Sequence, residues 1–140
     1  MEYGDKFGLF CLEYGDSGVV FSDMRILRGI LHDNLGINEG MFFENAVAQM
    51  LVAQGYKLRF YSRKDIKSPR DTMEIDFLVK RGIKVVPIEV KSGRYRAHAS
   101  LDRFRAKFSR NVSDGYVCCT GNYEKSGDVF YLPAYMASLL

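Results

Sequence analysis

Two acids and a lysine in the middle of the chain have the types and spacing to work together on a phosphate ester. Glu89 and Lys91 stand two apart in Val86-Pro87-Ile88-Glu89-Val90-Lys91, and Asp76 lies in the preceding apolar run Met73-Glu74-Ile75-Asp76-Phe77-Leu78-Val79. In a strand, residues two apart share a face, so Glu89 and Lys91 point one way while Ile88 and Val90 enter the opposite layer. Two carboxylates at one end of a buried sheet are costly unless something neutralises them. A hard divalent cation does so: Mg2+ takes oxygen ligands and keeps several waters, with Mn2+ as its substitute. Such an ion lowers the pKa of a bound water and stabilises charge on a phosphate oxygen. Asp76 and Glu89 are therefore expected as metal ligands, with the Val90 carbonyl as a further one. Lys91 is expected to orient the water or to stabilise the developing charge.

The flanking elements must bring these groups together. Strands are expected over 72–80 and 84–91, joined by a short turn at Arg81-Gly82 into an antiparallel pair. That places Asp76 and Glu89 about equally far from the turn, where their side chains can converge. Before the pair come a helix over 41–54, apolar on most sides and stopped at Gly55, and a strand over 56–62. After it come an amphipathic helix over 100–108, a strand over 116–120, a further strand over 129–132 and a short helix opened by Pro133. Ser100 has the type of a helix N-cap. The core order α-β-β-β-α-β predicts an α/β fold, a mixed central sheet flanked by helices. Residues 1–39 read as a strand–helix extension, with a strand over 18–23 and a helix over 24–31, and residues 40–140 as the main domain.

Bulk properties narrow the class. With 140 residues, 47% hydrophobic and 26% charged, the chain has the composition of an ordinary globular domain rather than a disordered one. No apolar run is long enough to span a membrane, and the N-terminus lacks the order of a signal peptide, so a cytoplasmic protein is expected. Charge is unevenly spread. Residues 1–40 hold seven acids against three bases, whereas residues 91–110 hold seven bases against Asp102 alone. A basic block beside a candidate site suits a polyanion, and Arg94, Arg96, Arg103 and Lys107 are the candidate nucleic-acid contacts, with Tyr95 placed to stack on a base. Arg63, Lys64, Lys67 and Arg70 in the preceding loop invite the same reading. The rival reading of all these charges is a solvated surface.

Asp76 followed by Glu89-Val90-Lys91 resembles the D…ExK signature of the PD-(D/E)XK nuclease superfamily. The resemblance implies a restriction-endonuclease-like αβββαβ core and metal-dependent hydrolysis of nucleic acid, DNA being the first candidate. It also implies an acid on the preceding helix, a role that Glu44 fits. On a helical wheel Glu44 falls among Val47, Ala48 and Leu51, so it is expected to face the interior. Further segments, Phe42-Phe43-Glu44-Asn45, Glu74-Ile75-Asp76-Phe77, Pro87-Ile88-Glu89-Val90-Lys91-Ser92-Gly93 and Ser100-Leu101-Asp102-Arg103-Phe104, occur in the order of a domain of unknown function. That domain lies C-terminal to the ATPase core in many prokaryotic AAA-type ATPases, and an ATPase domain or subunit is the partner this implies. No GxxxxGK[ST] occurs here, so ATP hydrolysis is not expected of these residues.

Several bland alternatives stand beside these readings. Glu74 alternates onto the same face as Asp76 and competes for its role. Pro87, inside a strand expected to be central, suggests a bulge that aims Glu89. His32 and His98 lack ligand spacing and read as structural or surface residues, and Cys118 and Cys119 read as core. A nuclease fold can also be kept for binding alone, so the alternative function is a catalytically silent module that docks nucleic acid or a protein.

Overall fold

The computed structural model describes residues 6–9, 39–64, 72–93 and 95–140. The expected strand over 18–23 and helix over 24–31, Lys67 and Arg70 of the loop, and Arg94 lie outside the described residues. The described elements are β1 (Lys6–Leu9), α1 (Glu39–Ala53), β2 (Arg59–Arg63), β3 (Met73–Arg81), β4 (Lys84–Lys91), α2 (Ala99–Lys107), β5 (Gly115–Cys119), β6 (Glu124–Ser126), β7 (Val129–Pro133) and a closing 3-10 helix (Ala134–Leu139).

Seven strands among the described residues form one mixed sheet in the order β1-β2-β3-β4-β5-β7-β6. The run from β1 to β4 is antiparallel. β4, β5 and β7 are parallel, and β6 returns antiparallel on β7. A parallel neighbour requires a crossover, and α2 supplies it between β4 and β5. The expected α/β architecture, helices flanking a mixed sheet, is what these elements build. β1 and β6 were not anticipated. β6 is Glu-Lys-Ser and exposed throughout, so it carries none of the alternation that marks a strand.

Each face of the sheet has its own core. Val47, Ala48 and Leu51 of α1 pack with Phe77, Val79, Val86, Ile88, Val90 and Cys118. Leu101 and Phe104 of α2 pack on the other side with Tyr61, Met73, Ile75, Leu78, Val117, Cys119 and Tyr131. Cys118 and Cys119 are thus core residues on opposite faces, and burial pushes the Cys118 thiol up to about 12. α1 ends in a Schellman motif, with Tyr56 N–H donating to the Leu51 carbonyl and Gly55 N–H to that of Val52. Gly55 takes φ +87 there, which explains why a glycine stands at the stop.

β3 breaks the alternation that β4 keeps. Ile75 and Phe77, two apart, enter opposite cores. The cause lies in the pairing with β2: Arg59 and Tyr61, two apart, face Leu78 and Ile75, three apart. One extra residue is therefore accommodated in β3 across Asp76-Phe77, a β-bulge. The bulge expected at Pro87 is absent, because the β3–β4 register runs unbroken through Leu78↔Pro87. Pro87 is tolerated for a different reason. By alternation from Val85 N–H, which donates to Asn111 O, the Pro87 nitrogen faces β5, where the ladder begins only at Ile88↔Tyr116. The missing donor falls in that gap.

Candidate functional site

The β3–β4 hairpin places the first two groups. Its turn is Gly82-Ile83, closed by Arg81↔Lys84, with Gly82 at φ +64 in the first central position, as a type II′ turn requires. Register pairs then run to Phe77↔Ile88. Beyond that point the Val90 N–H donates to Asp76 Oδ2 at 2.7 Å. The bulge thus puts a carboxylate where the next main-chain acceptor would stand.

Asp76 keeps a part-exposed edge, yet enough protein surrounds its carboxyl for burial to raise its pKa to about 7. The Val90 N–H opposes the rise, the charges of Glu44 and Glu89 add to it, and Lys91 opposes it. Glu89 is 2% exposed. Ile88 and Val90 belong to the α1-side core, so Glu89 and Lys91 project from the α2 face of β4. Lys91 Nζ lies 3.3 Å from Glu89 Oε2, a charge contact without hydrogen-bond geometry, and both Glu89 oxygens lack a hydrogen-bond partner. Burial raises the Glu89 pKa, while Lys91, His98 and the Leu101 N–H in the first turn of α2 favour its charged form. Such a buried carboxylate is costly, and calls for a proton or a cation.

Glu44 departs from expectation. It is exposed, and the buried polar residue of α1 is Asn45, which takes the inward position beside Val47 and Ala48. Glu44 and Ala48 stand four apart on α1, yet Ala48 is buried and Glu44 is exposed. Its pKa is raised by the surrounding protein, lowered by Lys91 and raised by Glu74, so it stands at the rim within electrostatic reach of the site. Glu74 is exposed, and its N–H donates to Ser100 Oγ at 3.4 Å. Ser100 therefore lies inside the first turn of α2, and His98 takes the N-cap position that Ser100 was expected to hold.

The donors present fit a hard cation in part. Asp76, Glu89 and the Val90 main chain are brought to one end of the β3–β4 pair, with Glu89's oxygens unsatisfied. Among the described residues no three His, Cys, Asp or Glu side chains gather around a point, so water would have to supply most of the ligands of any ion held there. Mg2+ tolerates that arrangement.

Among the described residues, Arg96, Arg103 and Lys107 each have a partner within the protein. Arg96 pairs with Glu124 through both carboxylate oxygens. Arg103 Nη2 donates to the Thr72 carbonyl at 2.7 Å, and Lys107 Nζ donates to the Tyr61 hydroxyl at 3.2 Å. His98, read from the sequence as a structural or surface residue, is engaged on both sides: its ring nitrogens approach Asp102 at 3.1 Å and the Tyr131 hydroxyl at 2.6 Å. The i,i+4 spacing of His98 and Asp102 at the head of a helix was the available signal.

No curated protein matches the chain by sequence. The family model for DUF4143, a domain of unknown function, matches residues 39–136. The chain belongs to the DUF4143 family. The match begins at the first residue of α1 and runs into the closing 3-10 helix, so it takes in every element that frames Asp76, Glu89 and Lys91. Among the described residues of this DUF4143 protein, no helix is long and apolar enough to cross a membrane.

Proposed function

We propose that this DUF4143 domain is a metal-dependent phosphodiesterase of the PD-(D/E)XK type, acting on nucleic acid, first of all DNA, beside an ATPase domain or subunit. The observation that carries the reading is the pairing of Asp76, held by the Val90 N–H, with a Glu89 whose buried oxygens lack hydrogen bonds. The order α1-β2-β3-β4-α2-β5 supports it. Mg2+ or Mn2+ would be held by Asp76, Glu89 and the Val90 carbonyl, and would supply an acidified water and charge neutralisation at the phosphate. Lys91, half-buried beside Glu89, is the protein's own cation there, suited to orient the water or to stabilise the negative charge gathering on phosphate oxygens. Glu44 at the rim tunes the field from outside.

Incubation of the purified chain with Mg2+ or Mn2+ and single-stranded, duplex and branched DNA and RNA tests this. Cutting that disappears in Asp76→Ala and Lys91→Ala, with binding kept, is expected. Substrates left intact in every case would remove the enzymatic reading. A second reading, a silent module that binds nucleic acid or a protein, is favoured by the Lys91–Glu89 contact, which balances the buried carboxylate without any metal. It predicts no cutting by the parent and binding that survives both substitutions.

A further inference from the structure

The connection from Lys91 to α2 has to turn the chain from the end of β4 to the start of the helix that covers Glu89. Its last described part, Tyr95 to His98, is fastened from the far edge of the sheet. Tyr95 rests against the backbone at Gly121, where a Cβ would come within 2.8 Å of its ring, and meets the Tyr131 ring edge-on at 5.7 Å. The Arg96 guanidinium lies 5.4 Å from the centroids of both rings and pairs with Glu124 of β6.

His98 completes the attachment. Its side chain is 12% exposed, and both ring nitrogens are engaged. A carboxylate only accepts, so the Nδ1–H donates to Asp102, one turn into α2, and the Tyr131 hydroxyl of β7 closes the chain at Nε2. His98 makes no side-chain cap hydrogen bond to α2. The first turn of the helix is therefore fixed sideways, through an imidazole bridging Asp102 and Tyr131, rather than by a cap. That turn also carries Leu101, fully buried in the core on the α2 face of β4, the face from which the buried Glu89 projects.

We propose that His98 is a positioning residue for Glu89: by tying the first turn of α2 to Tyr131, it fixes the surroundings of the Glu89 carboxylate and so sets the affinity of the site for a divalent cation. The inference rests on the reading of Asp76 and Glu89 as cation ligands. Partners one step removed from a metal ligand typically change affinity by about 10–100-fold when deleted, and a loss of that size is expected.

The test is Mn2+ titration of the full chain, followed by electron paramagnetic resonance of the free ion, with thermal unfolding in chelator measured alongside. The parent, Asp76→Ala, His98→Ala, Tyr131→Phe and the His98→Ala/Tyr131→Phe double variant are compared. Tyr131→Phe keeps the ring under Arg96 and loses only the hydroxyl, so it decides the matter if His98→Ala folds poorly. Weaker Mn2+ binding in both single variants is expected, with the double variant little worse than either, because the two residues act as one link. Tyr131→Phe should unfold in chelator near the parent's midpoint, which separates positioning from loss of fold. Parent-like Mn2+ binding in Tyr131→Phe and His98→Ala, with Asp76→Ala still abolishing it, would overturn the role of His98 alone. A parent that binds no Mn2+ would overturn the cation reading itself, and this inference with it.

Discussion

The main-chain N–H of Val90 donates to Asp76 Oδ2, so a side chain takes over where the β3–β4 ladder stops. Val90 is the residue between Glu89 and Lys91, and this single bond fixes Asp76 to the segment that carries both. A shift of either strand would disturb all three groups at once.

The Asp76 carboxyl, raised from 3.8 to about 7 by burial, makes stability depend on pH. The folded chain holds this proton more tightly than the unfolded one. Its contribution is complete below the unfolded value and is lost as pH rises through the folded value. Between about pH 4 and pH 8 the metal-free protein is expected to lose on the order of 2–4 kcal/mol through this group. Asp76→Asn keeps an oxygen for the Val90 N–H but carries no charge, and should remove most of that slope. Glu44 and Glu89, also raised, leave a remainder of the same sign. Urea denaturation in chelator at several pH values measures it; equal slopes in parent and variant would contradict the assignment.

A divalent ion should reverse that loss. Binding displaces the proton from Asp76, so apparent affinity should climb as pH passes through about 7. Mn2+ at a hundred times its dissociation constant should stabilise the fold by about 2.7 kcal/mol. Thermal melts with and without Mn2+ report it, and Asp76→Ala and Glu89→Ala should show no such shift.

Lys91→Met takes away the charge 3.3 Å from Glu89 Oε2. The cost expected at pH 8 is about 1–3 kcal/mol, the penalty for an unsatisfied buried group. It stays below that of a fully enclosed pair because Lys91 is a third exposed to water. Adding Glu89→Gln should recover most of the loss, and a double-mutant cycle on unfolding free energies reads the coupling. Strict additivity would show that the two residues do not interact.

Gly82→Ala tests the hairpin that aims the site. A Cβ at position 82 meets nothing within 4 Å, so any cost comes from φ +64 alone. About 1–2 kcal/mol is expected. Gly93→Ala, also in open space but without a positive φ, should be near neutral, and chemical denaturation compares the two.

Much of the site was legible because its signals are local. The alternation through Val86-Pro87-Ile88-Glu89-Val90-Lys91 sets the faces of β4, and Gly82 marks the turn. The bulge at Asp76-Phe77 was not legible, since it arises from the register with β2 and leaves no mark in either segment. Glu74 and Asp76 look equivalent by alternation, yet Glu74 is exposed while the Asp76 carboxylate accepts the Val90 N–H. Glu44 misled because a helical wheel treats every turn as equally covered, whereas on α1 Ala48 is buried and Glu44, one turn earlier, is exposed. The partners of Arg96, Arg103 and Lys107 come from β6, from the residue before β3 and from β2, too distant in sequence for charge counting to foresee.

The central strand also divides the chain's folding in time. On one side of β4 the pairing is with its immediate hairpin neighbour; on the other, the parallel partner β5 arrives only after the whole crossover through α2. Loop closure makes distant pairings slower to form. The Asp76–Val90 fork should therefore gain protection while the α2 face of β4 is still open, and pulse-labelled hydrogen exchange should show Val86 and Ile88 amides slowing before those of β5. Glu89 would then spend the early part of folding in water, with its desolvation deferred until α2 docks.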